Sequence, residues 1–123
     1  MAQAAAHQKT RRLVGCSGCN ANFFVTSYQN DQIFEAVGQA SNKLGYKRVY
    51  VLVPNYPAGK DAIAGFKRTY KGEIIEESLL PLNTTDFGPE VSKIYAAKPD
   101  ALFTFMPGGL GINLLNTYIQ AGL

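Results

Sequence analysis

The sequence of 123 residues contains no tryptophan, a single histidine and only two cysteines. One histidine, His7, and one cysteine pair cannot supply the four ligands of a structural zinc site, so we expect no bound metal and no cofactor. No apolar run approaches the ~18 residues that a membrane-spanning helix requires. The N-terminal stretch MAQAAAHQKTRR also lacks the apolar core of a signal peptide. If the protein is exported, we expect its leader to belong to a longer parent sequence.

Charge is also scarce. Charged residues make up 17% of the sequence, and the formal net charge is +3. The basic cluster Lys9, Arg11 and Arg12 lies in a polar N-terminal segment, residues 1–18, and has no aromatic side chains beside it, which argues against a nucleic-acid partner. Apolar residues reach 46%, an ordinary share for a globular protein, and the length suits one domain.

The two cysteines, Cys16 and Cys19, form a CxxC motif in a glycine-rich turn. Redox-active pairs of this kind follow a strand and open a helix, whereas here the motif precedes a predicted strand at residues 22–26. A structural disulfide or two idle thiols is the favoured interpretation. Two alternatives stay open: a redox-active pair, and a disulfide to a partner cysteine on another segment.

Hydrophobic periodicity predicts alternating helices and strands. Apolar residues recur at helical spacing after Ser27, and Gly45 ends this first predicted helix. The apolar run VYVLV at residues 49–53 is typical of a strand covered on both faces of a parallel sheet. Two further strands are predicted at residues 73–82 and 101–106.

Helices are predicted over residues 58–70, after Phe87, and over residues 110–120. The residues expected on the apolar sides of the four predicted helices are Ile33, Phe34, Val37, Ala40, Leu44, Ile63, Phe66, Tyr70, Val91, Ile94, Tyr95, Ile112, Leu115 and Ile119. This order of elements predicts an α/β fold with a parallel sheet. The sequence stops where a next strand is due, so we expect an incomplete domain with a free sheet edge and self-association through that edge.

Two loops are candidate binding segments, because ligands of open parallel sheets bind beyond the carboxyl ends of the strands. The loops are residues 54–59 and 106–109, and each leads into a predicted helix whose free N–H groups suit an anion such as a carboxylate. Tight turns with no binding role are the alternative. Residues 109–111 begin like a dinucleotide fingerprint, but Leu114 stands where its third glycine belongs.

The sequence offers no catalytic constellation. Ser17 is not in a strand–turn–helix elbow, and the neighbouring Glu76 and Glu77 of one strand point to opposite faces. We therefore predict that the protein is not an enzyme. A thiol oxidoreductase that uses the CxxC motif is a weaker alternative.

Three segments carry a family resemblance: NANFFVTSYQNDQ at residues 20–32, KRVYVLVPNYPAGKDAIAGFKR at residues 47–68, and TDFGPEVSKIYAAKPDALFTFMPGG at residues 85–109. Together they resemble the second lobe of type I periplasmic solute-binding proteins of the branched-chain amino-acid (Leu/Ile/Val) group. The resemblance covers residues 19–123. It implies one incomplete three-layer α/β/α lobe of a two-lobed periplasmic protein that binds a small solute in its cleft and delivers it to an ABC permease.

The resemblance also implies which residues line one wall of that cleft: Asn55, Tyr56, Ala58, Met106, Pro107, Gly108 and Gly109. Family members often hold an aromatic residue where this chain has Ala58, and the smaller side chain leaves space for a larger solute such as an aromatic acid. The segments of the first lobe are absent, so we expect weak or no binding by this piece alone. A ligand-sensing regulatory domain of the same fold is the alternative function.

Overall fold

A computed structural model describes residues 30–122; the predicted strand at residues 22–26 and both cysteines lie outside this range. The described elements are α1 (Asn30–Lys43), β1 (Arg48–Pro54), α2 (Pro57–Thr69), β2 (Glu73–Leu80), α3 (Gly88–Ala97), β3 (Ala101–Thr104) and α4 (Gly109–Gln120). The strands form a sheet in the order β2-β1-β3, and both pairings are parallel. The predicted α/β class with a parallel sheet is confirmed.

Strand β1 lies at the centre of the sheet because its side chains are apolar on both faces. Val49, Val51 and Val53 point to one face, and Tyr50 and Leu52 point to the other. All five are at most 1% exposed. A strand that buries both faces needs helices on both sides, as the continuous run VYVLV predicts.

Each face of β1 belongs to its own apolar cluster, and the two clusters make three layers. The first cluster, which includes side chains from α1 and α2, contains Phe34, Val49, Val51, Val53, Ala62, Ile63, Phe66, Tyr70 and Phe103. The second cluster, which includes side chains from α3 and α4, contains Tyr50, Leu52, Phe87, Val91, Ile94 and Leu114. Helix α2, which follows β1, and helix α4, which follows β3, therefore cover opposite faces of the sheet.

Helix α1 is fixed against α2 at close range, and this contact sets the position of Phe34. A Cβ atom on Gly65 of α2 would lie 2.2 Å from the carbonyl oxygen of Asp31, so only glycine permits the observed approach. Arg68 of α2 also pairs with Asp31, and with Glu35 at 2.8 Å. The aromatic ring of Phe34 is thereby held over the first cluster, 5.9 Å from the ring of Phe103.

Several predicted boundaries and core positions were wrong. Strand β2 ends at Leu80 rather than at residue 82, and β3 ends at Thr104 rather than at residue 106. The residues expected on apolar helix sides that are exposed instead are Ile33, Val37, Ala40, Leu44, Tyr95, Ile112, Leu115 and Ile119. Within residues 30–122, β3 pairs with β1 alone, and a groove of about 330 Å³ lies between β3 and α1. Among residues 30–122, no helix has the length and apolarity that crossing a membrane demands.

Asp100 ties the start of β1 to the start of β3. Its Oδ2 atom accepts hydrogen bonds from the backbone N–H groups of Lys47 at 2.8 Å and Arg48 at 2.9 Å. The bond from Arg48, with that from Lys47, holds the pKa of the Asp100 carboxyl below its ordinary value. Folding lowers the pKa of such a carboxylate, so its ionised form stabilises the folded protein at pH values above the unfolded-state pKa. This stabilisation is lost as the pH falls through the folded-state pKa.

We therefore expect part of the stability to be lost as the pH is lowered from about 5, past the ordinary aspartate pKa of about 3.9 and through the lower folded-state pKa of Asp100. Asparagine has the shape of aspartate but cannot ionise. Asp100→Asn is therefore expected to be less stable near neutral pH, and its free energy of unfolding is expected to fall less steeply as the pH is lowered (a shallower acid limb). Urea unfolding at a series of pH values measures both quantities. The control is Asp61→Asn, which removes an exposed carboxylate from α2; an identical acid limb in both variants speaks against the role of Asp100.

Candidate functional site

The loops after β1 and β3 leave the sheet at the same edge. The two strands are parallel neighbours, with Val51 opposite Phe103 and Leu52 opposite Thr104. Parallel neighbours end side by side, so residues 54–59 and 105–109 begin next to each other. The aromatic rings of Tyr56 and Phe105 bridge the two loops, with centroids 6.4 Å apart and planes 13° from parallel.

The two loops then diverge to opposite faces of the sheet. Helix α2 turns to the face of the first cluster, where it buries Ala62, Ile63 and Phe66. Helix α4 turns to the other face, where it buries Leu114. A crevice opens between two such loops at the point where the strand order reverses, and small ligands bind in crevices of this kind.

Both loops reach their helices through a glycine in the first turn. A Cβ atom on Gly59 would lie 2.1 Å from the carbonyl oxygen of Pro54, and one on Gly111 would lie 2.5 Å from the carbonyl oxygen of Met106. Gly108, before α4, has φ 60° and ψ −136°, a conformation that essentially only glycine adopts. Each helix therefore starts directly against the backbone that follows its strand, and its first amide groups lie at the edge of the sheet.

No side chain caps the N-terminus of either helix. Neither Tyr56 at the start of α2 nor Gly108 at the start of α4 makes a side-chain capping hydrogen bond. The N–H groups of a first helical turn have no intrahelical partners, and the helix dipole adds a partial positive charge there. The crevice therefore offers hydrogen-bond donors and a positive potential, both of which favour an anion.

The predicted site residues fall into two groups. Tyr56, Ala58 and Met106 are partly buried at the base of the loops, whereas Asn55, Pro107, Gly108 and Gly109 are exposed. The backbone N–H of Asn55 donates to the carbonyl oxygen of Leu80 at 2.6 Å, which ties the first loop to β2. Met106 packs on the second cluster. Their role in binding stays a prediction.

The sequence-based prediction missed Phe105, which meets Tyr56 in the crevice. The apolar pattern ALFTFM places it inside a strand, yet β3 ends at Thr104 and Phe105 begins the loop. Its ring also contacts the ring of Phe34 at 5.1 Å with an interplanar angle of 66°.

A polar cluster on the second face lies apart from the crevice. The buried hydroxyl of Tyr50 lies 3.0 Å from the Ser78 hydroxyl, which donates to Glu90 at 3.0 Å. Burial raises the pKa of Tyr50. Burial also acts to raise the pKa of Glu90, but hydrogen bonds from Lys93 and Ser78 outweigh it, and the pKa falls below its ordinary value. Among residues 30–122, no group of three or more histidine, cysteine or acidic side chains is placed to hold a metal ion.

Comparisons with known proteins show the family to which the chain belongs. A family profile described as periplasmic binding protein matches residues 5–123. The Leu/Ile/Val-binding protein homolog 6 of Brucella melitensis is 29% identical over 102 residues, which are 80% of this chain and 26% of that protein. The chain thus spans about a quarter of the length of the curated relatives it matches.

Two solved structures share the fold and part of the sequence. The solute-binding protein of an ABC transporter from R. palustris, in complex with benzoate, has a TM-score of 0.78 and 31% identity, and the match covers 85% of this chain and 30% of that chain. A solute-binding protein from Rhodopseudomonas palustris BisB5, in complex with 3,4-dihydroxy benzoic acid, has a TM-score of 0.73 and 38% identity, with 79% and 28% covered. With almost the whole sequence inside the family profile, this chain belongs to the periplasmic binding proteins, as a type I member of the branched-chain amino-acid group.

Proposed function

We propose that this chain is part of the substrate-binding component of an ABC-type uptake system, in which its two loops form one wall of the solute cleft. The observation that carries the proposal is that the loops after β1 and β3 leave the sheet at the same edge, and that each leads into a helix whose N-terminus has no side-chain capping hydrogen bond. Such an edge binds a carboxylate through backbone N–H groups and helix dipoles. The solute is accordingly a small carboxylate, either an amino acid or an aromatic acid.

The names of the similar proteins support this solute class. The curated relative is named for leucine, isoleucine and valine, and the two solved relatives hold benzoate and 3,4-dihydroxy benzoic acid. All of these compounds are small carboxylates. By the same analogy, the protein acts in the periplasm, delivers its solute to an ABC permease and catalyses no reaction. Self-association through a free sheet edge, which the sequence led us to expect, has no support from these comparisons.

The other wall of the cleft is expected to come from the parts of the related proteins that this chain does not match. Pockets for small ligands gain affinity by enclosing most of the ligand surface. One wall alone loses that enclosure, so we expect the isolated chain to bind with a dissociation constant of about 1 mM or weaker. Binding of this strength is saturable and can be measured by nuclear magnetic resonance.

The test is a titration of the ¹⁵N-labelled chain with benzoate and, separately, with leucine. The readout is the change in the chemical shifts of its backbone amide signals. We expect saturable shifts for at least one of the two solutes, concentrated at residues 55–59 and 106–111. The matched control solute is benzylamine, which has a similar ring but carries a positive charge. Because helix N-termini disfavour cations, benzylamine is expected to leave these signals in place. Shifts that are equal for benzoate and benzylamine, or that are confined to other surfaces, would refute the proposal.

A further inference from the structure

The groove between α1 and β3 is lined mainly by apolar side chains. Val37 of α1, together with Leu44 and Tyr46 just after that helix, line it and are 38%, 67% and 36% exposed. Phe103 lines it from the side of the strand. Apolar side chains that share one exposed groove gain free energy when another apolar segment covers them. The groove therefore suits an apolar occupant.

Strand β3 lines this groove along its whole length, and its outer edge is unpaired in the part of the chain that the structure describes. The strand, Ala101–Thr104, carries no charged side chain, whereas β2 at the opposite edge of the sheet carries Glu73, Glu76 and Glu77. Charged side chains protect a sheet edge, while an uncharged edge leaves its N–H and C=O groups ready to pair with a further strand. The edge of β3 is thus the one suited to receive a strand.

Helix α1 begins at the edge of the sheet where β3 ends. The ring of Phe34, near the start of α1, lies 5.1 Å from the ring of Phe105, which directly follows β3. A strand beside β3 and parallel to it would therefore finish near the start of α1. The strand predicted at residues 22–26 is separated from α1 by residues 27–29 alone. This spacing lies within the usual length of a strand-to-helix connection, about two to six residues.

The handedness of the connection also favours the edge of β3. Helices α1 and α2 pack on the same face of the sheet, and α2 connects β1 to β2. A strand outside β3 that leads through α1 to β1 crosses that face in the same direction, so both connections have the same hand. A strand outside β2 would give the connection through α1 the opposite hand. Since about 98% of connections between parallel strands are right-handed, the two are expected to agree.

The segment before α1 has the composition that this edge requires. Residues 22–26 read NFFVT, and three apolar residues in succession are typical of a strand that is covered on both faces. We propose that residues 22–26 add to the outer edge of β3 as a fourth parallel strand and cover the groove beside α1. The occupant of the groove is thus a segment of the same chain, and its docking does not depend on the solute cleft.

The test is nuclear magnetic resonance of the full chain. In a sample labelled with both ¹³C and ¹⁵N, we expect nuclear Overhauser effects between backbone protons of residues 22–26 and 101–104. Amide hydrogen exchange in residues 22–26 is expected to be about tenfold or more slower than in a free peptide of the same sequence. A mixture of ¹³C-labelled and ¹⁵N-labelled chains is expected to give no effect between the two labels. Effects between differently labelled chains would make a second copy the occupant, and peptide-like exchange would leave the groove uncovered; either result overturns the proposal.

Proline substitutions test the pairing of the segment itself. Successive N–H groups of a strand point to opposite sides, so Phe24→Pro or Val25→Pro removes a donor to β3. At least one of the two variants is expected to lose the contacts with residues 101–104 and to unfold at a lower urea concentration. Ala5→Pro, in the polar N-terminal segment, is the control and is expected to behave like the unchanged chain. Intact contacts in both variants would contradict the added strand.

A polar substitution tests the cover over the groove. Val37→Asn places an amide group where the proposed strand packs, and we expect it to lower the urea midpoint. Ile33→Asn is the matched control, because Ile33 is also a β-branched residue of α1, is 45% exposed and lies outside the groove lining. Equal midpoints for the two variants would show that Val37 stays exposed to water and would overturn the proposal. If Val37→Asn does not fold, the contacts measured in the unchanged chain still decide the question.

Discussion

Replacing Phe66 with alanine is expected to lower the free energy of unfolding by about 3–5 kcal/mol. The side chain is fully buried, and its ring stacks on Phe103 at 4.3 Å and on Tyr70 at 4.8 Å. Alanine would leave a cavity between α2 and β3 in the middle of the series of rings that ends at the crevice. Since small domains are stable by only about 5–15 kcal/mol, a loss of this size is readily seen as a shifted midpoint of urea unfolding.

Tyr95→Ala is the control for Phe66→Ala, because it also removes an aromatic ring but from an exposed position. Substitutions on the surface usually change stability by no more than about 0.5 kcal/mol. Equal unfolding midpoints for the two variants would show that the first cluster does not depend on the stacking of Phe66. A larger loss for Phe66→Ala, together with shifted amide signals at Phe105, is the expected result.

Replacing Gly59 with alanine is expected to destabilise the chain by about 1–3 kcal/mol and to move the first turn of α2. The added Cβ would lie 2.1 Å from the oxygen and 3.2 Å from the carbon of the Pro54 carbonyl, and neither backbone atom can rotate away. The helix must therefore separate from the end of β1. Because this turn supplies N–H groups to the crevice, carboxylate binding should weaken in the same variant.

Gly109→Ala is the matched control, since it adds the same methyl group to the first turn of the other helix. A Cβ there would meet no atom within 4 Å, and Gly109 does not have a positive φ. Stability is expected to stay unchanged or to rise by up to about 1 kcal/mol, because alanine restricts the unfolded chain. Thermal unfolding of the two variants side by side measures the difference, and equal losses would argue against the close approach at Gly59.

The sequence was sufficient to predict the parts of the fold that depend on local pattern. Val49 to Val53 form a continuous apolar run, and a strand with such a run needs cover on both faces wherever it lies. The residues Ile63, Phe66 and Tyr70 also follow a clear helical period, and all three are buried. Both patterns are specified by neighbouring residues, so the predictions of β1 and of the buried side of α2 are confirmed.

Other features depend on partners that periodicity does not reveal. Helix α4 has a wide apolar face, and the structure buries Leu114 rather than Ile112, Leu115 or Ile119. Because the apolar residues span about half of the helix surface, the sequence does not define which part of that face points inward. Tyr95 is exposed because its neighbour Ile94 occupies the buried position on α3.

The candidate site, too, could be predicted from the sequence only in part. Strand–turn–helix patterns were enough to predict both loops, and parallel strands place such loops at one edge of the sheet. The strand order β2-β1-β3 was not predictable, although it makes the loops of β1 and β3 neighbours. Phe105 became part of the crevice only because β3 ends at Thr104, and its contacts with Tyr56 and Phe34 join residues far apart in the sequence.

We expect one solute to contact both loops at the same time. The most direct measurement is of intermolecular nuclear Overhauser effects between the ring protons of benzoate and the protons of the isotope-labelled chain. We predict effects to the ring of Tyr56 and to the backbone amides of Gly108 and Gly109 within one saturable binding event. Effects to one loop only, or to a surface away from the edge where β1 and β3 end, would contradict a shared cleft wall.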